Sequence, residues 1–334
     1  MTRERIPLNT LAVPFGLAGL AEVWTAASAV LGLPDAVPDA FWLLAGAAWL
    51  AMIAAHVVRG IRVHRPLTEQ LRHPAQGPIA ALVPVVGMLL GARLHGVLPV
   101  AGTVLVVLSI ATATVFAGWI LARWLRGTET AAVHGGYLLP TVAAGLIAGT
   151  TAAEVGLPEV GWAAFSVGVL FWFVIFGILV ARFGALAALP GPLVPTMAIL
   201  VAPPAVAGLA WIALTGRADG PVVDGLVGLT VLSVLVQAAL LPLYRRTPFS
   251  LGAWSFTFPF AAVATLFVAV SAGVPVLSVV VAVAGAAAIT LLVGTVAYRS
   301  LRLLARSRRA AERQLTAADD RAERGGAHPA RLRA

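Results

Sequence analysis

The sequence predicts an all-α integral membrane protein of ten transmembrane helices, arranged as five hairpin repeats with odd helices inside and even helices outside. Three observations predict it. The composition is extremely apolar, ten apolar runs are each long enough to cross a bilayer, and interior prolines recur only in alternate runs.

Of the 334 residues, 60% are hydrophobic and 11% are charged, whereas a soluble domain carries roughly 25% charged residues. The mean hydropathy is +0.94. A soluble chain this apolar could not cover its surface with polar groups, so lipid is its natural solvent. Cysteine is absent and all 23 basic side chains are arginine. Disulfides, thiolate metal ligands, a P-loop lysine and a lysine Schiff base are thereby excluded from this chain. The formal charge of +9 does not point to nucleic acid, because ten arginines lie from Arg299 onward and most others sit in turns between apolar runs. That placement is what membrane topology produces. Arg3, Arg5 and the small-residue site Ala27-Ser28-Ala29 resemble a signal peptide, but the run between them is long and interrupted by Pro14 and Glu22. It is read as a first span rather than a cleaved leader.

A spanning helix needs about 20 mostly apolar residues. In order, the first five runs are Thr10–Gly32, Phe41–Arg62, Pro78–Gly96, Pro99–Trp124 and Val133–Ala153. The second five are Val160–Arg182, Leu193–Thr215, Val222–Tyr244, Ser250–Gly273 and Val276–Ala297. Connections are short, so neighbouring spans are antiparallel. With the N-terminal side cytoplasmic, 21 arginines fall inside and only Arg93 and Arg217 outside. The acids Asp35, Asp39, Glu154, Glu159, Asp219 and Asp224 lie in or beside outside loops. This segregation predicts a multi-pass plasma-membrane protein with both termini cytoplasmic. Residues 1–303 form the transmembrane domain and residues 304–334 a charged cytoplasmic tail in contact with anionic lipid.

Odd spans carry interior prolines: Pro14, Pro84, Pro140, Pro203 with Pro204, and Pro259. They recur at separations of 70, 56, 63 and 56 residues, the length of two spans and two turns, which reads as one hairpin repeated five times. Each lies about four to ten residues into its span, on the order of 6–15 Å deep. Proline removes an amide hydrogen and leaves a carbonyl without its usual partner. Lipid cannot satisfy that carbonyl, so these faces should meet protein or water, which places the odd helices in an inner ring.

The same stretches carry a resemblance. They are Val13-Pro14-Phe15-Gly16-Leu17-Ala18 with Trp24, Ala81-Leu82-Val83-Pro84 with Met88-Leu89-Leu90-Gly91, and Tyr137-Leu138-Leu139-Pro140 with Val142-Ala143-Ala144. Thr196-Met197 with Ala202-Pro203, and Trp254-Ser255-Phe256-Thr257-Phe258 in the ninth span, complete the set. In order and spacing the chain resembles the tellurite-resistance/dicarboxylate transporter (TDT) family, with its TehA-like and plant slow anion channel branches. The resemblance implies five helical hairpins around a central pore, a homotrimer with one pore per subunit, and small inorganic or organic anions as the solutes. It also implies an aromatic gate in the ninth span, which falls on Phe258.

In such a pore the small residues near the prolines, Gly16, Gly87, Gly145 and Thr257, leave a channel that Phe258 can plug. A narrow apolar constriction gates by excluding water. No arginine sits mid-span in an odd helix, so attraction for anions is expected from the mouths, Arg59, Arg62, Arg123 and Arg126 inside and Arg93 outside, or from amide hydrogens that kinked helices aim inward. Glu22 lies mid-span, where a charge costs at least ~2.5 kcal/mol. It is read either as a proton-coupling carboxyl or as a carboxyl bonded between helices. Two functions therefore stay open: a passive anion channel, and a proton-coupled transporter of C4-dicarboxylates, tellurite or sulfite using Glu22. A membrane-embedded enzyme is disfavoured, because no catalytic residues cluster within the spans. No cofactor, nucleic acid or metal is expected. His56, His95 and His134 stand near span ends without ligand spacing.

Overall fold

A computed structural model describes residues 5–64 and 66–326. Arg3, Arg65 and the end of the tail from residue 327, all assigned to the cytoplasmic side above, lie outside the described residues. The chain divides into two compact units, Met1–Val293 and Gly294–Ala334.

The described residues are helical, with no strand among them. Ten helices are long and apolar enough to cross a membrane. The odd spans are Leu8–Leu31, Gly77–His95, Gly135–Glu154, Gly191–Thr215 and Leu251–Val270. The even spans are Ala36–Val63, Pro99–Trp124, Pro158–Ala185, Pro221–Ala239 and Pro275–Ser307. Four even spans open on a proline because the first helical position has no hydrogen bond to lose. The eighth span ends at Ala239, earlier than its hydropathy suggested. Pro242 follows, and a separate short helix, Leu241–Arg246, carries the chain onward.

Proline acts in the odd spans differently from a simple kink. Each odd span begins as a 3-10 or π stretch and only then becomes α-helical, at Ala12, Leu82, Ala144, Ala202 and Thr257. Pro14, Pro84, Pro204 and Pro259 are each the third residue of the α segment. In that first turn an α-helical amide has no partner to lose. The tighter 3-10 turns before it bond residue i to i+3 and absorb the change of register. Pro140 sits in a π stretch, Leu139–Ala143. Even spans supply donors to carbonyls at or beside these changes of register. The Trp49 indole donates to the Val83 carbonyl at 2.9 Å, and the Gln237 amide to the Met197 carbonyl at 3.1 Å. Lipid would offer those carbonyls nothing.

The odd spans form the interior. In the most apolar window of each, 56–83% of residues are buried, against 11–28% in the even spans. The first span packs on the third, the third on the fifth, the fifth on the seventh, the seventh on the ninth, and the ninth on the first. That closes a ring. The first four even spans each pack on the odd span before them. Between the fifth and sixth spans the backbones meet through glycine: a Cβ on Gly145 would lie 2.8 Å from the Gly168 Cα. Small residues of this kind let membrane helices approach closely.

In the second unit, the Arg302 guanidinium stands 5.5 Å from the centre of the Tyr298 ring. The Ser300 hydroxyl donates to the Val296 carbonyl at 2.7 Å.

Candidate functional site

The ring of odd spans holds two cavities. One, about 230 Å³, lies among the starts of the odd spans. Every odd span contributes: Asn9 and Phe15, Ile79, Gly136 and Leu139, Thr196, and Trp254. Among the described residues, the wall of this start-side vestibule has no ionisable side chain except His73. Five helix N-termini nevertheless converge on it, and each presents the positive end of its dipole. Two of those ends are capped by side chains. His134 Nδ1 accepts from the Gly136 amide at 3.1 Å, and Ser250 Oγ from the Gly252 amide at 3.2 Å. His134 stands one residue ahead of the fifth span and is fully buried. Burial pushes its pKa down to about 4, Arg182 adds to the push, and the Pro74 and Ala75 carbonyls oppose it. It therefore stays neutral and keeps Nδ1 as an acceptor.

A second cavity, about 310 Å³, lies towards the ends of the odd spans. Its wall is apolar except for Glu22, Glu154, Thr150 and Thr265. Phe258 and Val206 line both cavities, so these two side chains stand at the partition between them. Phe258 is 6% exposed. Its ring stacks on Phe15 with centroids 3.8 Å apart and planes 16° from parallel. Gly19 lets the first span close on this ring, since a Cβ there would meet Phe258 Cδ2 at 3.1 Å and its Cα at 3.2 Å.

The remaining sequence candidates separate by location. Pro203 and Pro259 line the start-side vestibule. Glu22 lines the end-side one. Pro140 and Gly145 line a different cavity, among the third to sixth spans. Pro14 and Pro84 are buried in helix packing. The glycines face neighbouring helices rather than either vestibule: Gly16 lies against Thr257 and Trp254, Gly87 against Ser109 and Trp49, and Gly145 against Gly168. A missing side chain here shortens an interhelical distance instead of widening a lumen. Thr257 is buried and donates to the Trp254 carbonyl at 2.7 Å, closing the 3-10 turn. Of the mouth arginines, Arg93 is salt-bridged to Asp39, and Arg123 donates to the Arg72 carbonyl at 2.7 Å. The sixth span buries Arg182, whose guanidinium donates to the Ala187 and Ala131 carbonyls at 2.9 and 3.1 Å. Sequence reasoning missed Phe15, Val206, Glu154 and Thr265 as neighbours of the partition. Phe15 alone carried a signal, since it sits in the Pro14-Phe15-Gly16 stretch of the resemblance.

A ten-span bundle with a closed inner ring and an apolar outer face is a multi-pass membrane protein. The sequence profile of the SLAC1 family, voltage-dependent anion channels, matches residues 5–301, and the chain belongs to that family. It is similar to the tellurite resistance protein TehA homolog of Haemophilus influenzae, 23% identical over 261 residues, which is 78% of this chain and 79% of that protein. It is also similar to the S-type anion channel SLAH2 of Arabidopsis thaliana, 25% identical over 310 residues, 86% of this chain and 57% of that longer protein. A membrane anion channel or transporter is the activity class this membership supports.

Proposed function

We propose that the protein conducts small anions along a path from the start-side vestibule to the end-side vestibule, closed at rest by the Phe258 ring. The observation that carries this reading is that Phe258 walls both cavities. An apolar ring across a narrow passage excludes water and with it a hydrated ion. Rotation of that ring, or a shift of the 3-10 segment Leu251–Phe256 before it, would join the two spaces.

Convergent helix N-termini at the start-side vestibule favour a negative ion without offering a fixed cation that would trap it. Discrimination among monovalent anions is then weak and favours those that lose water easily. Residues 1–303 form the conducting domain, and residues 304–334 a cytoplasmic tail. The arginine distribution supports a start-side vestibule on the cytoplasmic face of the plasma membrane. The reading includes a homotrimer with one path per subunit.

The test is flux in reconstituted liposomes. Phe258→Ala should raise chloride and nitrate currents well above the parent's, while a dye-sized anion stays excluded. Currents equal to the parent's in a folded, reconstituted Phe258→Ala protein would overturn the gate.

A further inference from the structure

We propose that Tyr244 and Gln237 are positioning residues for the gate. Together they hold the 3-10 openings of the seventh and ninth spans, and through them Phe258, in the closed arrangement. The proposal rests on the reading that the path runs past Phe258.

A chain of contacts across three elements is the observation. Gln237 lies in the last turn of the eighth span and is only 5% exposed. Its amide nitrogen donates to the Met197 carbonyl at 3.1 Å. Its amide oxygen accepts from the Tyr244 hydroxyl at 2.5 Å. Met197 belongs to the 3-10 stretch Gly191–Val201 that opens the seventh span. Tyr244 belongs to the short helix Leu241–Arg246. Its ring meets the Phe256 ring edge to face, with centroids 4.8 Å apart. Phe256 closes the 3-10 stretch Leu251–Phe256 that opens the ninth span, and Phe258 stands two residues further on. One buried amide and one phenol therefore touch both openings. The openings also press on each other, since a Cβ on Gly252 would lie 2.8 Å from the Pro192 carbonyl oxygen.

An amide side chain in an apolar span is costly unless its polar groups are bonded. Here the oxygen and the nitrogen of Gln237 each serve a different neighbour, so the amide is held at both ends. Neither Gln237 nor Tyr244 lines either cavity. They do not touch the anion and can act only through the elements they hold.

The connection gives the sign. Only residues 247–250 separate the Tyr244 helix from Leu251. A shift of the Leu251–Phe256 stretch either withdraws the Phe256 ring from Tyr244, or carries Tyr244 along and away from Gln237. In both cases a contact made in the closed arrangement is lost. In the second a buried amide oxygen is also left unpaired, which costs more than an ordinary exchange of partners. The strut thus favours the closed arrangement, and weakening it should favour the open one.

Tyr244→Phe keeps the ring against Phe256 and removes only the hydroxyl. In proteoliposomes it should raise chloride flux roughly two- to tenfold, the scale of one hydrogen bond, and leave the ratio of chloride to nitrate flux unchanged. Gln237→Leu should raise flux at least as far. Adding Tyr244→Phe to Gln237→Leu should then add little, because the partner of the hydroxyl is already gone. The deciding measurement repeats Tyr244→Phe in a Phe258→Ala background, and it stands without Gln237→Leu if that variant fails to fold. With the positioned ring absent, the increment should vanish, whereas a general loosening of the bundle would add the same increment in both backgrounds. Equal increments would overturn this inference and leave the path standing. So would a Tyr244→Phe flux no higher than the parent's beside an enlarged Phe258→Ala flux, the pattern of a ring that turns in place while the stretch before it stays still. No enlargement in Phe258→Ala would remove the path, and the strut's role with it.

Discussion

A single aromatic ring between two cavities would be loosely held, and the Phe15 partner changes that. Stacked aromatic pairs contribute about 0.5–1.5 kcal/mol beyond the area they bury. With centroids 3.8 Å apart, Phe15 holds Phe258 at the partition from the adjacent first span. Phe15→Ala should therefore raise basal anion flux roughly two- to tenfold, less than Phe258→Ala does. Single-channel or liposome flux at constant protein density reads this directly, and a Phe15→Ala protein as silent as the parent would deny Phe15 any hold on the gate. At this scale the sequence was only partly legible. Phe258 could be singled out because a motif surrounds it. Phe15 lay in a quoted stretch too, but nothing local announces that the first and ninth spans meet. Glu154 read as an outside-loop acid, since it ends a span. Only the closing of the ring brings it to the same cavity as Glu22.

At the scale of helices, the odd spans depend on two devices that sequence shows unequally. Proline alternation was visible, and with it the inner placement of the odd spans. The 3-10 and π openings were not, because no residue preference separates them strongly from an α turn. They follow from where proline permits the α register to begin. The glycine contacts were visible as small residues but misread as lumen. Their role gives a paired prediction on the sixth span. A Cβ at Gly168 would meet the Leu146 amide nitrogen and Cγ at 2.9 Å, while at Gly177 it would meet nothing within 4 Å. Gly168→Leu should cost about 1–3 kcal/mol or more by overpacking, lowering the melting temperature in detergent by several degrees and separating the fifth and sixth spans. Gly177→Leu on the same helix faces open space and should leave the melting temperature unchanged. Equal melting curves for the two variants would mean that the glycine seam does not hold these helices together.

For the molecule as a whole, the two vestibules differ in what lines them. Helix N-termini gather at one, and two carboxyls line the other. Which face of the membrane each occupies is proposed from arginine placement alone, and it can be tested without any functional assay. The chain has no cysteine, and each introduced thiol is therefore the only one to label. Arg217 and Arg246 are exposed and flank the seventh and eighth spans from opposite ends. If the start-side vestibule faces the cytoplasm, Arg217→Cys reacts with a membrane-impermeant maleimide in intact cells, and Arg246→Cys reacts only after permeabilisation. The converse pattern would invert the protein. The helix dipoles would then draw anions from outside. The order of spans and the ring would survive that inversion, because both rest on where apolar and proline residues fall along the chain and neither depends on which solvent each end meets.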